Sequence, residues 1–319
     1  MLFNLLKIPA QFVFWIYCRA VFINKPALLK SKGPLLIAAN HPNSFLDAIV
    51  LATLFQRPVY SLARGDVYKN KFYSILLTSL NILPVYRLSE GAGNLGHNYS
   101  TFEKCREIFK KNGIVLIFSE GRCINEWKLR PLKKGTARLA VSSWEEGINL
   151  TVLPAGINYQ SFTSFGKNIH LNFGNAITSK QVMQTNGHGN TINSFNNRLQ
   201  SELTKLVEEI DKNDRQTIRQ KFQVQQPAAK KIFFLIPALL GFILHAPLYF
   251  PVKQFAWRKA SHNDHYDSVL VGLLFVLYPF YLATACLAAY AWLGSWYWMM
   301  ALPLLPFCAH ACVQLKKQF

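Results

Sequence analysis

The 319-residue chain has no C-x-x-C pair, and its six cysteines, Cys18, Cys105, Cys123, Cys286, Cys308 and Cys312, stand singly or in apolar runs near the C-terminus. Neither a disulfide framework nor a zinc site is suggested, and a reducing compartment fits. Charge is scarce as well. Only 16% of residues are charged against 51% hydrophobic, too apolar for a disordered chain and unusual for a soluble enzyme. Acidic residues are scarcest, 16 against 35 Lys and Arg, for a formal net charge of +19. Such an excess attracts polyanions. Combined with this hydrophobicity it points to anionic membrane lipids and away from nucleic acid. The opening MLFNLLKIPAQFVFWIYCRAVFI lacks a basic region ahead of its apolar stretch and a small-residue cleavage site, so it is read as a retained membrane helix and not as a signal peptide. No G-x-S-x-G elbow is present, which argues against a serine hydrolase.

Along the chain, Lys7 shortens the uncharged part of residues 2–23 below the length that spans a bilayer, so an interfacial helix is expected, ended by Lys25-Pro26. From residue 34 short apolar runs alternate with amphipathic stretches. PLLIAA, VYSLAR, ILPVYR, IVLIFS, NLTVLPAGINY and IHLNFG read as strands. SFLDAIVLATLF, with Ser44 as its N-cap, DVYKNKFYSILLTSL, YSTFEKCREIFKKNG, closed by Gly113, and GTARLAVSSWEEG read as helices. The expectation is an α/β fold, a mainly parallel sheet flanked by helices, because buried parallel strands are continuous apolar runs. It would occupy 26–226, after an N-terminal membrane-associated helix over 1–25, with residues 192–222 mostly helical. Residues 227–319 read as a C-terminal α-helical membrane region. Pro237, Gly241, Pro247 and Pro251 break 232–252, which suits a re-entrant or surface-lying segment. Residues 268–313 hold two long uncharged runs, a transmembrane hairpin with Trp292, Trp296, Tyr297 and Trp298 at its turn. Lys230, Lys231, Lys253, Arg258, Lys259, Lys316 and Lys317 flank these segments, while the turn at Gly294-Ser295 carries no charge. The basic flanks and the catalytic domain are therefore expected on the cytoplasmic face.

Four segments carry chemistry. In IAANHPNSFLD a strand ends at Asn40, His41 opens the loop and Asp47 follows on the next helix. A histidine that takes a proton from an alcohol needs a fixed tautomer, and a carboxylate accepting its Nδ1–H supplies one. The plainer reading is a capping histidine beside a surface aspartate. In LIFSEGRCINEWKLRPLKKGTARLA a buried strand ends in Ser119-Glu120-Gly121, and a loop with Arg122, Lys128, Arg130, Lys133 and Lys134 leads to a helix start at Gly135. Strand, basic turn and helix N-terminus together suit a phosphate, although most charge runs are only solvated loops. NILPVYR places Arg87 just past a strand, where a guanidinium can grip a phosphate. VLPAGI puts Pro154 at a strand end.

In this order and spacing the four segments, over residues 34–160, resemble the blocks of the glycerolphosphate and lysophosphatidic acid acyltransferase family: N-H-x4-D, G-x-I-P-V-x-R, F-P-E-G-T-R-S and V-P-V. Three departures stand out. Five residues, not four, separate His41 from Asp47, Ser119 replaces a proline, and Arg122 follows Gly121 without an intervening Thr. The resemblance implies a catalytic dyad of His41 and Asp47, an acceptor-phosphate contact at Arg87, and acceptor binding by Glu120, Gly121 and Arg122 with the basic stretch of Lys128, Lys133 and Lys134. It further implies direct transfer from acyl-CoA or acyl-carrier protein to a hydroxyl of a phosphate-bearing glycerolipid, 1-acylglycerol-3-phosphate first, in phospholipid synthesis. Neither cofactor nor metal is required. Glycerol-3-phosphate itself and other lysolipids, such as a lyso-ornithine lipid, are alternative acceptors, and a non-catalytic basic lipid-binding protein is the alternative of another class. GAGNLG over 91–96 matches a dinucleotide fingerprint, but residues 87–90 separate it from its strand. HNDHYD over 262–267 could offer His262 and His265 to a metal, though such a stretch is more often a polar loop beside a membrane helix.

Overall fold

The computed structural model describes residues 2–86, 95–183, 188–294 and 296–318. Its strands are β1 Cys18–Ile23, β2 Leu35–Ala39, β3 Val59–Arg64, β4 Ile82–Val85, β5 Ile114–Phe118, β6 Thr151–Tyr159 and β7 Lys167–Phe173. They form one sheet in the order β1-β7-β6-β2-β5-β3-β4. Every neighbouring pair is parallel except β6 with β7. The helices are α1 Leu2–Tyr17, α2 Phe45–Leu54, α3 Lys71–Ser79, α4 Leu95–Lys110, α5 Gly135–Glu145, α6 His188–Thr204, α7 Arg215–Phe222, α8 Ala228–Ala260, α9 Tyr266–Leu293 and α10 Ala301–Leu315.

The central strand shows why the apolar runs are unbroken. All five residues of β2 are buried. Successive side chains point to opposite faces. Leu36 and Ala38 pack with Leu139 and Ala140 of α5 and Phe195 of α6. Leu35, Ile37 and Ala39 join a second core with Leu46 and Leu51 of α2, Val13 and Tyr17 of α1, Val252 of α8 and Leu270 of α9. The long C-terminal helices thus help to cover one face of the sheet.

Several local expectations are revised. The N-terminal helix ends at Tyr17, and residues 18–23 are instead edge strand β1, paired with β7. Val21, Phe22 and Ile23 favour a strand once a partner is available. Lys7 does not face lipid. Its ammonium donates to the Phe55 and Gln56 carbonyls just past α2, where a cation suits the helix C-terminus. Ser44 precedes α2 without a side-chain cap bond. Residues 192–222 form parts of two helices, α6 and α7. Pro237, Pro247 and Pro251 lie inside α8 without ending it.

By length and composition α8, residues Tyr266–Trp292 and residues Tyr297–Leu315 could each cross a membrane. Ile232 is 75% exposed, Phe280 68% and Trp292 87%. Apolar surface of this extent is covered by lipid, not water, so the chain is membrane-associated.

Candidate active site

The site lies at the carboxyl ends of β2 and β5. Asn40 stands just beyond β2. Its side-chain amide donates to the Ile157 carbonyl at 3.0 Å and accepts from the Ile157 amide at 2.7 Å, continuing the β2–β6 ladder by one side chain. This fixes the start of the next loop. His41 follows, and its backbone N–H donates to Glu120 Oε2 at 2.9 Å.

The His41 ring lies flat on Phe118, centroids 3.9 Å apart and planes 8° from parallel. Its Nδ1 is 2.8 Å from Asp47 Oδ2. A carboxylate only accepts, so Nδ1 carries the proton and Nε2 is left as the base. The side chain keeps 17% of its surface exposed, enough for a substrate to reach it, whereas Asp47 has none. The Asn43 amide donates to the same Oδ2 at 2.8 Å. Pro42, Asn43 and Ser44 make the tight turn that brings Asp47, in the first turn of α2, back onto His41. Ser44 takes a positive φ of 52°. That conformation costs a non-glycine residue on the order of 1–3 kcal/mol and concentrates at functional sites. The longer His–Asp spacing is absorbed in this turn.

Tyr159 faces Asp47 from β6. Burial, and then the carboxylate's charge, hold its phenol well above the usual range. Neither Tyr159 Oη nor Asp47 Oδ1 has a hydrogen bond of standard geometry.

The acidic and basic residues of the second segment have different positions. Glu120 is buried and clamps two loops, one oxygen on the His41 amide and the other on the Arg130 amide at 2.9 Å. Burial raises its pKa, and those two amides oppose the rise. Gly121 has φ +67, and a Cβ there would meet Lys133 Cγ at 3.1 Å. The Ile124 amide donates to the His41 carbonyl at 3.3 Å, so the loop of Gly121 and Arg122 wraps beside the histidine. Arg122, Lys128, Lys133 and Lys134 are all exposed. The last two lead into the N-terminus of α5, and the Lys133 amide is anchored on the Ser119 carbonyl at 2.7 Å. The Ser119 hydroxyl, in place of the family's proline, accepts from Thr136 at 3.0 Å. Arg87 lies outside the described residues, as do Gly91–Asn94 of the glycine-rich stretch.

The residues that sequence reading missed come from the turn between α8 and α9. Asp267 is fully buried. It pairs with the buried Lys167 of β7 and accepts from Tyr17 Oη at 2.6 Å and Asn43 Nδ2 at 2.8 Å. Ser44 Oγ meets His265 Nδ1, Ser268 Oγ accepts from the Leu46 amide at 3.3 Å, and Asp264 accepts from the Asn125 amide at 2.9 Å. The HNDHYD stretch thus docks on the dyad loop. No three residues with metal-ligating side chains gather among the described residues. Its one advance signal was Asp267, an acid in the first turn of an otherwise uncharged apolar helix. Arg64, at the end of β3, is the other unforeseen neighbour. Its charge and that of His41 both act on His265.

Residues 20–158 match the family model described as Acyltransferase. The chain is also similar to the crystal structure of the 1-acyl-sn-glycerophosphate (LPA) acyltransferase PlsC from Thermotoga maritima, at 12% identity and a TM-score of 0.43 over 70% of this chain and 81% of that one. No curated protein sequence matches. The matched residues contain β2 to β5, the His41–Asp47 pair, the Glu120 clamp and its basic loop, so these features lie within the part of the chain that is similar to the Acyltransferase family model.

Proposed function

We propose that the chain moves a fatty acyl group from acyl-CoA or acyl-carrier protein to a hydroxyl of a phosphate-bearing glycerolipid acceptor, 1-acylglycerol-3-phosphate first, as a step of phospholipid synthesis. The observation that carries this reading is the 2.8 Å contact of His41 Nδ1 with a fully buried Asp47. His41 Nε2 takes the acceptor's hydroxyl proton as the oxygen attacks the thioester carbonyl. The tetrahedral adduct collapses, the C–S bond breaks, and the thiolate leaves with the proton returned from Nε2. Asp47 stabilises the imidazolium between these steps. The exposed Arg122, Lys128, Lys133 and Lys134 beside the α5 N-terminus receive the acceptor phosphate. Arg87 is assigned to the same phosphate from its place after β4. Ser119 and Arg122, where the family pattern has Pro and Thr, keep glycerol-3-phosphate and other lysolipids as alternative acceptors.

The domain faces the cytoplasm in this reading. Lys230, near the start of α8, donates to Gln314 at 2.8 Å, and Gln314 in turn donates to the Arg19 carbonyl of β1. Beyond the other end of α8, Asp264 holds Asn125. Both flanks of α8 are therefore tied to the same domain, which favours a helix lying along one face over one that crosses. The α9–α10 pair forms the spanning hairpin. In a variant stripped of native cysteines, probes at Ser261 and Gln318 label from the cytoplasm and one at Ser295 from the far side. Far-side labelling of Ser261 overturns this topology.

The activity test offers radiolabelled acyl-CoA with glycerol-3-phosphate, lysophosphatidate, other lysophospholipids and a lyso-ornithine lipid to the reconstituted protein and to His41→Ala. Transfer to a phosphate-bearing acceptor that disappears in the variant is expected. Transfer to none of these acceptors, or transfer that survives the substitution, overturns the reading.

A further inference from the structure

Away from the dyad, α1, α8, α9 and α10 enclose a cavity of about 540 Å³, within the range of lipid and cofactor sites. Its walls are hydrocarbon: Val13 and Ile16 of α1, Leu239 and Phe242 of α8, Leu274 of α9. One side is open, since Leu239 and Phe242 remain 61% and 55% exposed. Neither His41 nor Asp47 lines it.

Two lysines interrupt this lining, Lys253 and Lys316. Among the described residues neither has a carboxylate partner. Lys316 donates to the Phe165 carbonyl at 2.7 Å and lies 4.1 Å from the centre of that ring. Arg19 is close by and buried. Its Nε and Nη2 hold the last carbonyls of α10, while Nη1 has no partner. Burial, followed by the charges of Lys167, Lys253 and Arg19, pushes the Lys316 ammonium down to about 8. Lys316 and Arg19, withdrawn from water and without a carboxylate partner among the described residues, are unfavourable until an anion joins them, and Lys253 adds an exposed charge beside Lys316. An apolar slot open along its side, with Lys253 and Lys316 in its lining, matches a molecule with a hydrocarbon chain and an anionic head.

We propose that this cavity binds one acyl chain of an anionic phospholipid, with the headgroup phosphate against Lys253 and Lys316. The lipid enters sideways between the exposed residues of α8. It fills the seam between α1, α8 and α10, and it borders Tyr17, which lines the cavity and donates to Asp267. The site is independent of acyl transfer, so its test does not use turnover.

Native mass spectrometry of the full chain in mild detergent, offered phosphatidylglycerol or phosphatidylcholine of the same chains, reads the site directly. Retention of one phosphatidylglycerol, at least about tenfold tighter than phosphatidylcholine, is expected from a charge-assisted contact. Lys253→Gln, at an exposed residue, should remove most of that preference, and Lys253→Gln/Lys316→Gln all of it. Ala238→Trp, which fills the slot, should lose both lipids, and His41→Ala should bind as the parent does. Inorganic phosphate in the millimolar range should not displace the lipid. Equal retention of the two lipids by the parent overturns the proposal. So does an unchanged preference in Lys253→Gln, or displacement by phosphate alone, which would mark a bare anion site.

Discussion

Asp47 and Asp267 occupy the same kind of position, the first turn of a helix, and both are fully buried. Their partners differ. Asp267 is neutralised by Lys167 and accepts two further hydrogen bonds, from Tyr17 and Asn43. Asp47 has a histidine and one amide on Oδ2, and its other oxygen has no hydrogen bond of standard geometry, with the Tyr159 phenol nearby. The first arrangement is electrically closed. The second is completed only when His41 becomes an imidazolium, as the proposed mechanism requires. Asn43 touches both, its side chain on Asp267 and its amide on Asp47, so the closed pair holds in place the one that changes.

Exchanging the two aspartates in turn breaks this contrast most sharply. His41→Ala and Asp47→Asn should each lower turnover by at least about a hundredfold with the melting temperature little changed. Near-normal turnover in either folded variant removes the dyad. Asp267→Leu should act first on stability, because it leaves Lys167 charged and buried alone, a loss of about 3–5 kcal/mol. Lys167→Met/Asp267→Leu should regain most of that stability by thermal melting, while kcat stays low because Asn43 has lost its acceptor. Recovery of kcat with stability would show that Asp267 does not position the loop.

Smaller effects belong to the basic loop and to the docked turn. Arg122→Ala and Lys133→Ala should each raise the KM for a phosphate-bearing acceptor about tenfold and leave the donor KM alone. An unchanged acceptor KM in both places the phosphate elsewhere. The weakest effect concerns pH. Burial depresses His265 below the ordinary histidine value of 6.5, reinforced by His41 and Arg64 and opposed by Asp264. The unfolded chain then binds the proton more readily than the folded one. His265 therefore contributes stability above that value, and the contribution is lost as pH falls from about 6.5 towards the lowered folded value. Melting temperature should decline over that interval in the parent, and His265→Asn should flatten this part of the curve. An identical slope in the variant assigns the decline to other groups.

The His41–Asp47 contact was legible because its geometry is local. Asn40, His41 and Asp47 lie within one strand–loop–helix passage, and residue order alone brings them together. The parallel sheet was legible for a related reason, since fully buried strands such as Leu35–Ala39 leave no polar alternation. Strand β1 was misread because an apolar, aromatic run reads alike as helix and as strand until a partner appears, and its partner β7 lies far along the chain. Lys7 was read only as a charge that shortens the apolar N-terminal stretch, but it and Arg19 each hold the carbonyls at the C-terminal end of a distant helix. Asp267 was hardest. Its partners Tyr17, Asn43 and Lys167 are scattered over the chain, and no local pattern links them.

The junction of α1 and β1 has a mechanical consequence. Tyr17 ends the helix and Cys18 begins the strand, with no residue between. The helix thus runs directly into the edge strand, where the β1–β7 register shifts between Cys18 and Ala20. An interfacial helix responds to the composition and curvature of the surface on which it lies. From there β1 pairs with β7, whose Lys167 holds Asp267. A continuous path of paired elements therefore runs from the lipid surface to the loop of His41, and reconstitution in vesicles of graded anionic lipid content measures whether the surface is felt along it.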